Sequence, residues 1–198
     1  MNLFYKLYRD IAFLNDAESI HLTTLKLLKK YPSLISFIFK LGLSSSRYSI
    51  KMNTGDWNFP IGLAAGLDKN AECLNFFSRM GFGAVEVGTV TPLPQKGNER
   101  PRLFRLEEQK SLLNRMGFNN DGIEVLIGNI KKSKRKPNIL GINIGKNKCT
   151  SEKNAWKDYY TLYEKAYDCC DYLVINVSSP NTPDLRKLQN YENLKEIF

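Results

Sequence analysis

Histidine and paired cysteines are nearly absent from this chain. His21 is the only histidine among the 198 residues, and one imidazole cannot build a metal site by itself. The four cysteines form no C-x-x-C pair and have no metal-ligand spacing; they are Cys73, Cys149, Cys169 and Cys170. Since no export signal precedes them, we expect reduced structural thiols in a cytosolic compartment.

Long apolar runs are also missing. The longest candidate lies between Leu34 and Leu41 and is interrupted by Ser36 and Lys40, so it falls short of the roughly 18 residues that a membrane-spanning helix needs. The N-terminus has no apolar segment followed by a small-residue cleavage site, which argues against a secretory signal peptide. Hydrophobic residues make up 42% and charged residues 25% of the chain, which excludes a disordered or fibrous protein.

The charge is unevenly distributed. The chain carries 29 Lys+Arg and 20 Asp+Glu, a net charge of +9, and residues 1–52 hold eight of the basic and three of the acidic residues. The densest basic run, 131–136, follows a predicted helix, where cations complement the helix dipole. A solvated helix end explains this run better than a nucleic-acid site, which would need aromatic and basic residues interleaved on one face.

Three short helices are predicted before residue 51. Their apolar residues recur at helical spacing, and Asn15 with Glu18 is expected to form the capping pair of the second helix. Two interpretations remain open, namely a small helical subdomain packed on its neighbour, or an interfacial element on an anionic membrane surface. The apolar positions are Leu3, Phe4, Leu7, Tyr8, Ile11 and Leu14, then Ile20, Leu22, Leu25 and Leu28, then Leu34, Ile35, Phe37, Ile38 and Leu41.

Strands alternate with helices from residue 59 onward. We predict strands over 59–66, 84–90, 139–144 and 172–177, helices over 71–80, 122–132 and 155–170, a long loop before 122, and another helix from Asn190. Near-continuous apolar strands in such an alternation indicate a parallel α/β sheet. Polar residues follow every strand, which favours a (β/α) barrel over an open doubly wound sheet with its site at one switch point.

The strand ends are rich in amides and have neither histidine nor clustered carboxylates. Glycoside hydrolysis would need a carboxylate pair, and a Ser-His-Asp triad would need a histidine. Amides match the donor and acceptor edge of a flavin or a pyrimidine, and the small residues at 64–66 would let a flat ring lie against the backbone. Any single asparagine also suits a structural turn. The polar residues are Lys69, Thr89, Asn114, Asn143, Lys146, Asn176, Ser179 and Asn181.

Five segments resemble the dihydroorotate dehydrogenase family, in the family's order and over nearly the whole chain. They are Ala64-Ala65-Gly66-Leu67-Asp68-Lys69, Gly88-Thr89-Val90-Thr91-Pro92, Asn114-Arg115-Met116-Gly117-Phe118-Asn119, Gly141-Ile142-Asn143-Ile144-Gly145-Lys146-Asn147 and Asn176-Val177-Ser178-Ser179-Pro180-Asn181-Thr182. The resemblance implies a (β/α)8 TIM barrel that binds FMN and oxidises dihydroorotate to orotate in de novo pyrimidine (UMP) biosynthesis. The alternative is another FMN-dependent barrel, of the class 1 or dihydropyrimidine dehydrogenase type, which would have Cys at position 179.

Two features are similar to the quinone-dependent class 2 branch of that family. Ser179 stands where class 1 enzymes have Cys, and the chain has the helical N-terminal extension of class 2. His21 and Arg105 match positions that line the quinone tunnel. The resemblance implies a quinone partner and a peripheral membrane protein, on the cytoplasmic side of a bacterial cell membrane or at the mitochondrial inner membrane of a eukaryote.

The resemblance also implies a role for individual residues. Ser179 is the expected base at C5 of dihydroorotate while a hydride passes from C6 to N5 of FMN, with Thr182 and Phe118 shaping the proton exit and Lys69 stabilising negative charge. The implied cofactor positions are Ala65, Gly66, Leu67, Asp68, Lys69, Thr89, Asn143 and Asn176. The implied substrate positions are Lys69, Asn114, Arg115, Met116, Gly117, Phe118, Asn176 and Asn181.

Length limits what this chain can hold. A complete barrel has eight strands in about 250 residues, whereas four strands are predicted after the extension. We therefore expect an N-terminal fragment of the enzyme, with the extension at 1–50 and the first four βα units at 51–198. Such a fragment, taken alone, is expected to leave sheet edges open and to bind FMN weakly or not at all.

Overall fold

The structure, a computed structural model, describes residues 3–40 and 49–198, of which residues 3–5 and 40 are described by their backbone alone. The protein has a mixed α/β fold in which helices alternate with parallel strands. In chain order the helices and strands are α1 (Leu3–Phe13), α2 (Ala17–Lys30), α3 (Pro32–Lys40), β1 (Ile50–Met52), β2 (Gly55–Trp57), α4 (Leu74–Phe77), β3 (Val85–Val90), β4 (Leu103–Leu106), β5 (Ser111–Asn114), α5 (Ile123–Lys132), β6 (Leu140–Ile144), α6 (Ala155–Ala166), β7 (Tyr172–Ile175) and α7 (Tyr191–Ile197).

The three predicted N-terminal helices are confirmed as α1, α2 and α3. The N-cap of α2 is Asp16, whose carboxylate accepts a hydrogen bond from Ser19 N at 2.8 Å, so the predicted cap at Asn15 is wrong by one residue. The side chain of Glu18 takes no part in this cap, because it is buried against arginines. Leu41 and the side chains of Leu3 and Phe4 lie outside the part of the chain that the structure describes.

Apolar side chains of the N-terminal helices are exposed. Leu7 in α1 is 61% exposed, Leu14 just after it is 86% exposed, and Leu34 and Phe37 in α3 are exposed as well. The other sides of α2 and α3 pack against α4. Among residues 3–40 and 49–198, nothing covers these apolar side chains, and an exposed apolar face marks an interaction surface when it is contiguous. Within residues 3–40 and 49–198, no helix has both the length and the hydropathy to cross a membrane.

A parallel sheet in the order β3-β6-β7 forms the centre of the fold. Val87 pairs with Ile142, and Ile142 pairs with Leu173, so the carboxyl ends of the three strands lie side by side. All of β6 is buried, as expected of the central strand of a parallel sheet covered by helices. On the far side of β3, Leu63 adds one parallel bridge to Val85.

The first predicted strand, 59–66, is reduced to this single bridge. Leu63 N donates to Ala84 O at 2.9 Å, and Leu63 O accepts from Glu86 N at 2.8 Å. Ile61 O also accepts from Gly83 N at 2.9 Å, but Pro60 has no N–H to donate and Gly62 has no side chain to pack, which weakens the pairing around the bridge. The strand predicted over 172–177 ends at Ile175, and the other two agree with β3 and β6 to within one residue.

The helices that follow the strands cover the sheet. α5 agrees with the prediction, whereas α6 ends at Ala166 and gives way to a 3-10 turn. α4 is one turn long instead of spanning 71–80, because the Asp68 carboxylate accepts bonds from the backbone N–H groups of Glu72 and Cys73 and holds 68–73 in a turn. Ala71 in that turn has φ of 58°, which an α-helix does not allow. The core contains Leu74, Val85, Val87, Leu126, Ile130, Ile142, Tyr159 and Leu162.

Two antiparallel hairpins, β1-β2 and β4-β5, lie outside the predicted pattern. The second interrupts the long loop predicted before residue 122. All four residues of β5 are exposed and the connection at 107–110 has neither Gly nor Pro, so neither alternation nor a turn signal marks this hairpin in the sequence. The domain boundary placed after residue 50 stays a prediction; Ile50 begins β1.

Candidate functional site

Three polar side chains meet at the carboxyl ends of β3, β6 and β7. Thr89 Oγ1 donates to Asn143 Oδ1 at 2.6 Å, and Asn176 Nδ2 donates to Thr89 Oγ1 at 3.0 Å and to Asn143 Oδ1 at 3.2 Å. Asn143 Nδ2 donates to Glu86 Oε1 at 2.9 Å, and Tyr172 Oη donates to Glu86 Oε2 at 3.3 Å. We call Thr89, Asn143 and Asn176 the amide network. Since its polar atoms bond one another, a ligand that docks here exchanges internal hydrogen bonds for its own.

A loop of small residues, 64–69, lies beside the amide network. Gly66 N donates to Gly88 O at 2.8 Å, which fixes the loop against the end of β3. Gly66 has φ of +104°, and no atom lies within 4 Å of the place where a Cβ would project. Ala64 is exposed and Ala65 is half-buried, so this surface is open backbone bordered by methyl groups. Asp68 is buried, and burial raises the pKa of its carboxyl group.

Lys69 and His21 line a cavity of about 620 Å³ between α2 and the loops 67–72 and 95–102. Burial lowers the pKa of the Lys69 ammonium, and the positive charge of Arg102 lowers it further. Burial also lowers the pKa of His21, as does the positive charge of Lys69. Leu67 lies on the wall of the same cavity. A cation held in a partly desolvated cavity interacts strongly with negative charge that develops nearby.

The segment 114–118 is held by backbone hydrogen bonds to a neighbouring loop. Arg115 N donates to Arg102 O at 2.8 Å, and Asn98 N donates to Met116 O at 3.0 Å. Gly117 has φ of +71°, and a Cβ there would lie 2.8 Å from the Asn98 side chain, so this position requires glycine. The segment is therefore positioned by the loop that contains residues 96–102.

Asn114, the last residue of β5, lies next to Asn181 in the loop after β7, and both are predicted to bind substrate. Asn181 Nδ2 is 3.4 Å from Asn114 Oδ1. Asn98 connects these two parts of the chain, since its Nδ2 donates to Asn181 O at 3.1 Å and to Arg115 O at 2.9 Å. The Arg115 guanidinium donates to Pro101 O at 2.9 Å, so its side chain supports the neighbouring loop.

Ser179 and Thr182 follow β7. Ser179 is half-buried, and its Oγ accepts a hydrogen bond from Asn181 N at 3.3 Å. Thr182 is 4% exposed, and its Oγ1 has no hydrogen-bond partner among the described residues; the same is true of Asn119 Oδ1, which belongs to a residue lining the cavity. Because a buried polar atom without a partner is costly, these atoms mark places where a ligand or water is expected to bind.

Phe118 packs beside the amide network. A Cβ on Gly145 would lie 2.8 Å from Thr89 Cγ2 and 2.9 Å from Phe118 Cε2, so glycine allows the close approach of these side chains. Phe118 is buried and has φ of +53°, an uncommon conformation for an aromatic residue. The aromatic ring thus forms an apolar wall next to a polar cluster.

Arg105 is not among the residues that line this cavity with His21. Arg105 donates to Asn15 O at 2.6 Å and to Ala12 O at 3.2 Å, and its guanidinium lies 4.7 Å from the centre of the Phe13 ring. It therefore binds the C-terminal end of α1, where unpaired carbonyl groups favour a cation. The arginine that lines the cavity with His21 is Arg102.

Several residues of this region were not predicted from the sequence to belong to the site. Glu86 supports the amide network from within β3, and Asn98 joins two loops, yet neither stands at a strand end or in a recognisable spacing. Lys146 is one of the polar residues that follow the strands, but it is buried and donates to Thr150 O at 2.9 Å, so it stabilises the loop that contains it. Successive side chains of a strand point to opposite faces, so Glu86 and Gly88 share a face of β3. This alternation is the only sequence signal that could have indicated the position of Glu86.

Comparisons with known proteins identify relatives of this arrangement. A model of the family described as dihydroorotate dehydrogenase matches residues 49–198. The dihydroorotate dehydrogenase (quinone) of Idiomarina loihiensis is 49% identical over 195 residues, covering 98% of this chain and 58% of that protein, and the one of Neisseria meningitidis is 47% identical, with 98% and 57% covered. The crystal structure of DHODH in complex with ferulenol from Eimeria tenella matches with a TM-score of 0.80 at 40% identity, covering 92% of this chain and 49% of that one. The chain thus spans a little more than half the length of the curated relatives it matches.

Proposed function

The chain belongs to the dihydroorotate dehydrogenase family, and on this basis we propose that the full-length protein oxidises dihydroorotate to orotate, with FMN as hydride acceptor and a quinone as terminal electron acceptor. This reaction is a step of pyrimidine biosynthesis. The observation that carries the proposal is the position of the amide network beside the loop 64–69, which puts hydrogen-bond donors and acceptors next to open space at Gly66.

The strands are proposed to be part of a (β/α)8 barrel that follows the helical extension at 1–50. The support is their order: the bridge at Leu63, then β3, β6 and β7 are parallel, and neighbours in the chain are neighbours in the sheet. A barrel is built in this sequential order. A doubly wound sheet would reverse direction at its switch point.

The amide network and the loop 64–69 fit the ring system of FMN. Thr89, Asn143 and Asn176 offer hydroxyl and amide groups to the edge of the ring, and Ala65 and Gly66 leave its face free to approach the backbone. Leu67, Asp68 and Lys69 complete this side of the site. Bound FMN supplies the acceptor for the hydride that leaves C6 of dihydroorotate.

Ser179 is the proposed base for the proton at C5. A serine hydroxyl is a weak base, so the proton needs a path away from Oγ. Thr182 stands three residues further along the same loop, and its buried Oγ1 lacks a partner, which suits a water-mediated relay. Phe118 would shield this path as an apolar wall.

Lys69 is proposed to touch both cofactor and substrate, and its ammonium would stabilise the negative charge that develops as the proton leaves. Asn114, Asn176 and Asn181 would hydrogen-bond the carbonyl and carboxylate groups of dihydroorotate. The adjacency of Asn114 and Asn181 supports this assignment. Arg115, Met116 and Gly117 follow Asn114 in the chain, and they would contribute to the substrate site through the conformation of their backbone.

A dye-reduction assay tests the proposed function. The full-length protein, purified with its flavin, is expected to reduce a dye when dihydroorotate is added and to form orotate in equal amount. A flavin-loaded protein that ignores dihydroorotate but oxidises another dihydropyrimidine would instead establish the alternative, a barrel of the dihydropyrimidine dehydrogenase type.

We propose that the apolar face of α1 and α3 associates with the membrane. The quinone would reach the site past His21, and Arg105 would hold the end of α1 near that entrance. The support is the exposure of these leucine and phenylalanine side chains on a segment with net positive charge, which suits an anionic membrane surface. The protein would then be peripheral to the membrane.

The double substitution Leu7→Glu with Ile11→Glu tests this surface. Both side chains are exposed in α1, and burying them in a bilayer interface would contribute about 1.5–3 kcal/mol each. We expect binding to anionic vesicles, measured by cosedimentation, to weaken by about tenfold or more. Val125→Glu, on the exposed side of α5, is the matched control and should leave binding unchanged. Equal vesicle binding by both variants would contradict the assignment.

A further inference from the structure

Glu18 in α2 is a buried carboxylate whose partners come from a different part of the chain. Its side chain is 5% exposed, and that of Arg102, which follows the loop 96–101, is 6% exposed. Arg102 Nη2 lies 2.7 Å from Glu18 Oε1, and Arg102 Nε lies 3.2 Å and 3.1 Å from the two carboxylate oxygens. Arg100 Nη2 adds a contact of 3.0 Å from the surface. The hydrogen bond from Arg102 is the main cause that lowers the pKa of Glu18.

The remaining donor group of Arg102 binds the backbone of its own loop. Arg102 Nη1 donates to Lys96 O at 2.6 Å and to Asn98 O at 2.7 Å. A Cβ on Gly97 would lie 2.8 Å from the same nitrogen and 2.4 Å from Met116 O, so the loop closes tightly around the guanidinium. Nε and Nη2 of Arg102 therefore bind Glu18 in α2, and Nη1 binds the carbonyl groups of residues 96 and 98.

From residues 96–98 the contacts continue to the proposed substrate residues. Asn98 binds the backbone of Met116, Arg115 and Asn181, and Arg102 O accepts from Arg115 N. Each step is a direct hydrogen bond between residues that are not neighbours in sequence. The chain of contacts runs from the N-terminal helices to the two loops that contain Asn114 and Asn181.

We propose that Glu18 and Arg102 are positioning residues, through which the N-terminal helices hold the substrate loops 114–118 and 179–182 in their binding conformation. This inference rests on the proposed function and deepens it: the helical extension serves the dihydroorotate half of the site as well as the quinone. Neither residue is placed in contact with substrate. Both act through Asn98 and the backbone of Arg115.

A charged side chain is unstable in a buried position when its counterion is removed. If Glu18 loses its charge, the buried guanidinium of Arg102 is left without its counterion and moves toward water, and it releases the carbonyl groups at 96 and 98. The loop must then be ordered again each time substrate binds, which weakens binding. Once substrate is bound, the loop is back in place, so the rate at saturation changes little.

Glu18→Gln in the full-length protein tests this proposal against a matched control. Glu124→Gln removes the carboxylate of the exposed Lys165–Glu124 ion pair, at a distance from the proposed site, and should behave as wild type. For Glu18→Gln we expect the KM for dihydroorotate to rise by about tenfold or more, with kcat within about threefold and flavin content unchanged. Glu18→Asp, which keeps the charge, should restore much of the affinity and serves if Glu18→Gln does not fold.

Hydrogen exchange gives a second measurement that does not depend on the reaction. The amides of Asn98 and Arg115, which donate to Met116 O and Arg102 O, should exchange about tenfold faster in Glu18→Gln and unchanged in Glu124→Gln. An unchanged KM, with or without faster exchange, would overturn the positioning role, and so would equal changes in the two variants. If the wild type does not oxidise dihydroorotate, the proposed function fails, and unchanged exchange in Glu18→Gln would then refute the structural link separately.

Discussion

Replacing Ser179 by alanine is expected to lower the rate of dihydroorotate oxidation by about 10²–10⁴-fold, the contribution typical of a positioned base, while flavin stays bound. Among the described residues, Ser179 Oγ takes part in one hydrogen bond, from the backbone N–H of Asn181, so its loss leaves the loop largely intact. The measurement is flavin reduction by dihydroorotate in the full-length protein under anaerobic conditions. Ser151→Ala, at an exposed serine before α6, is the control and should keep the wild-type rate.

The Ser179→Cys variant tests the same assignment through the pH dependence of the rate. A thiol has a pKa near 8.5, far below that of a hydroxyl group, so it becomes a competent base at lower pH. We expect the rising limb of the pH–rate profile to move to lower pH in the cysteine variant, and to be absent in the alanine variant. Near-normal turnover by Ser179→Ala would refute the assignment of the base, whatever the cysteine variant does.

Replacing Lys69 by methionine is expected to reduce kcat/KM for dihydroorotate by about 10²–10³-fold. Methionine keeps the length of the side chain and removes the cation that would stabilise negative charge on the substrate. Burial makes this interaction stronger than it would be in water. Lys165→Met, at a lysine on the exposed side of α6, should stay close to wild type. A loss of less than tenfold in Lys69→Met would show that the ammonium is dispensable.

The lowered pKa of Lys69 also predicts a pH dependence. Because burial and the charge of Arg102 both lower this pKa, the ammonium is lost on the alkaline side at a lower pH than for an exposed lysine. The kcat/KM should therefore fall as pH rises through that pKa. Lys69→Arg, whose guanidinium stays protonated, should have lower activity and no such fall. A fall that persists unchanged in Lys69→Arg would assign it to another group.

The sequence predicts the regular parts of this fold because their physical signals are local. β3 and β6 are near-continuous apolar runs, and α5 has a clear helical stripe, so their bounds agree with the structure to within a residue. The polar residues after the strands were expected to converge, and Thr89, Asn143 and Asn176 do so, because parallel strands end at one edge of the sheet.

Other parts depend on contacts that a single sequence does not display. The turn at 68–73 replaces the first three residues of the predicted helix because one carboxylate, Asp68, binds two backbone N–H groups. Arg102 and Arg105 stand only three residues apart in sequence, and only the three-dimensional path of the chain decides that Arg102 reaches the cavity and Arg105 the end of α1. The pairing of Glu18 with Arg102 spans 84 residues and has no local signature.

Anaerobic mixing of the flavin-loaded, full-length protein with dihydroorotate is the most direct test of the central claim, that the residues of this chain help to hold a flavin that dihydroorotate reduces. The visible absorbance of the flavin is followed through a single turnover, and orotate is measured at its end. We expect the flavin to be bleached completely and one orotate to be formed per flavin. A flavin that stays oxidised in excess dihydroorotate would contradict it.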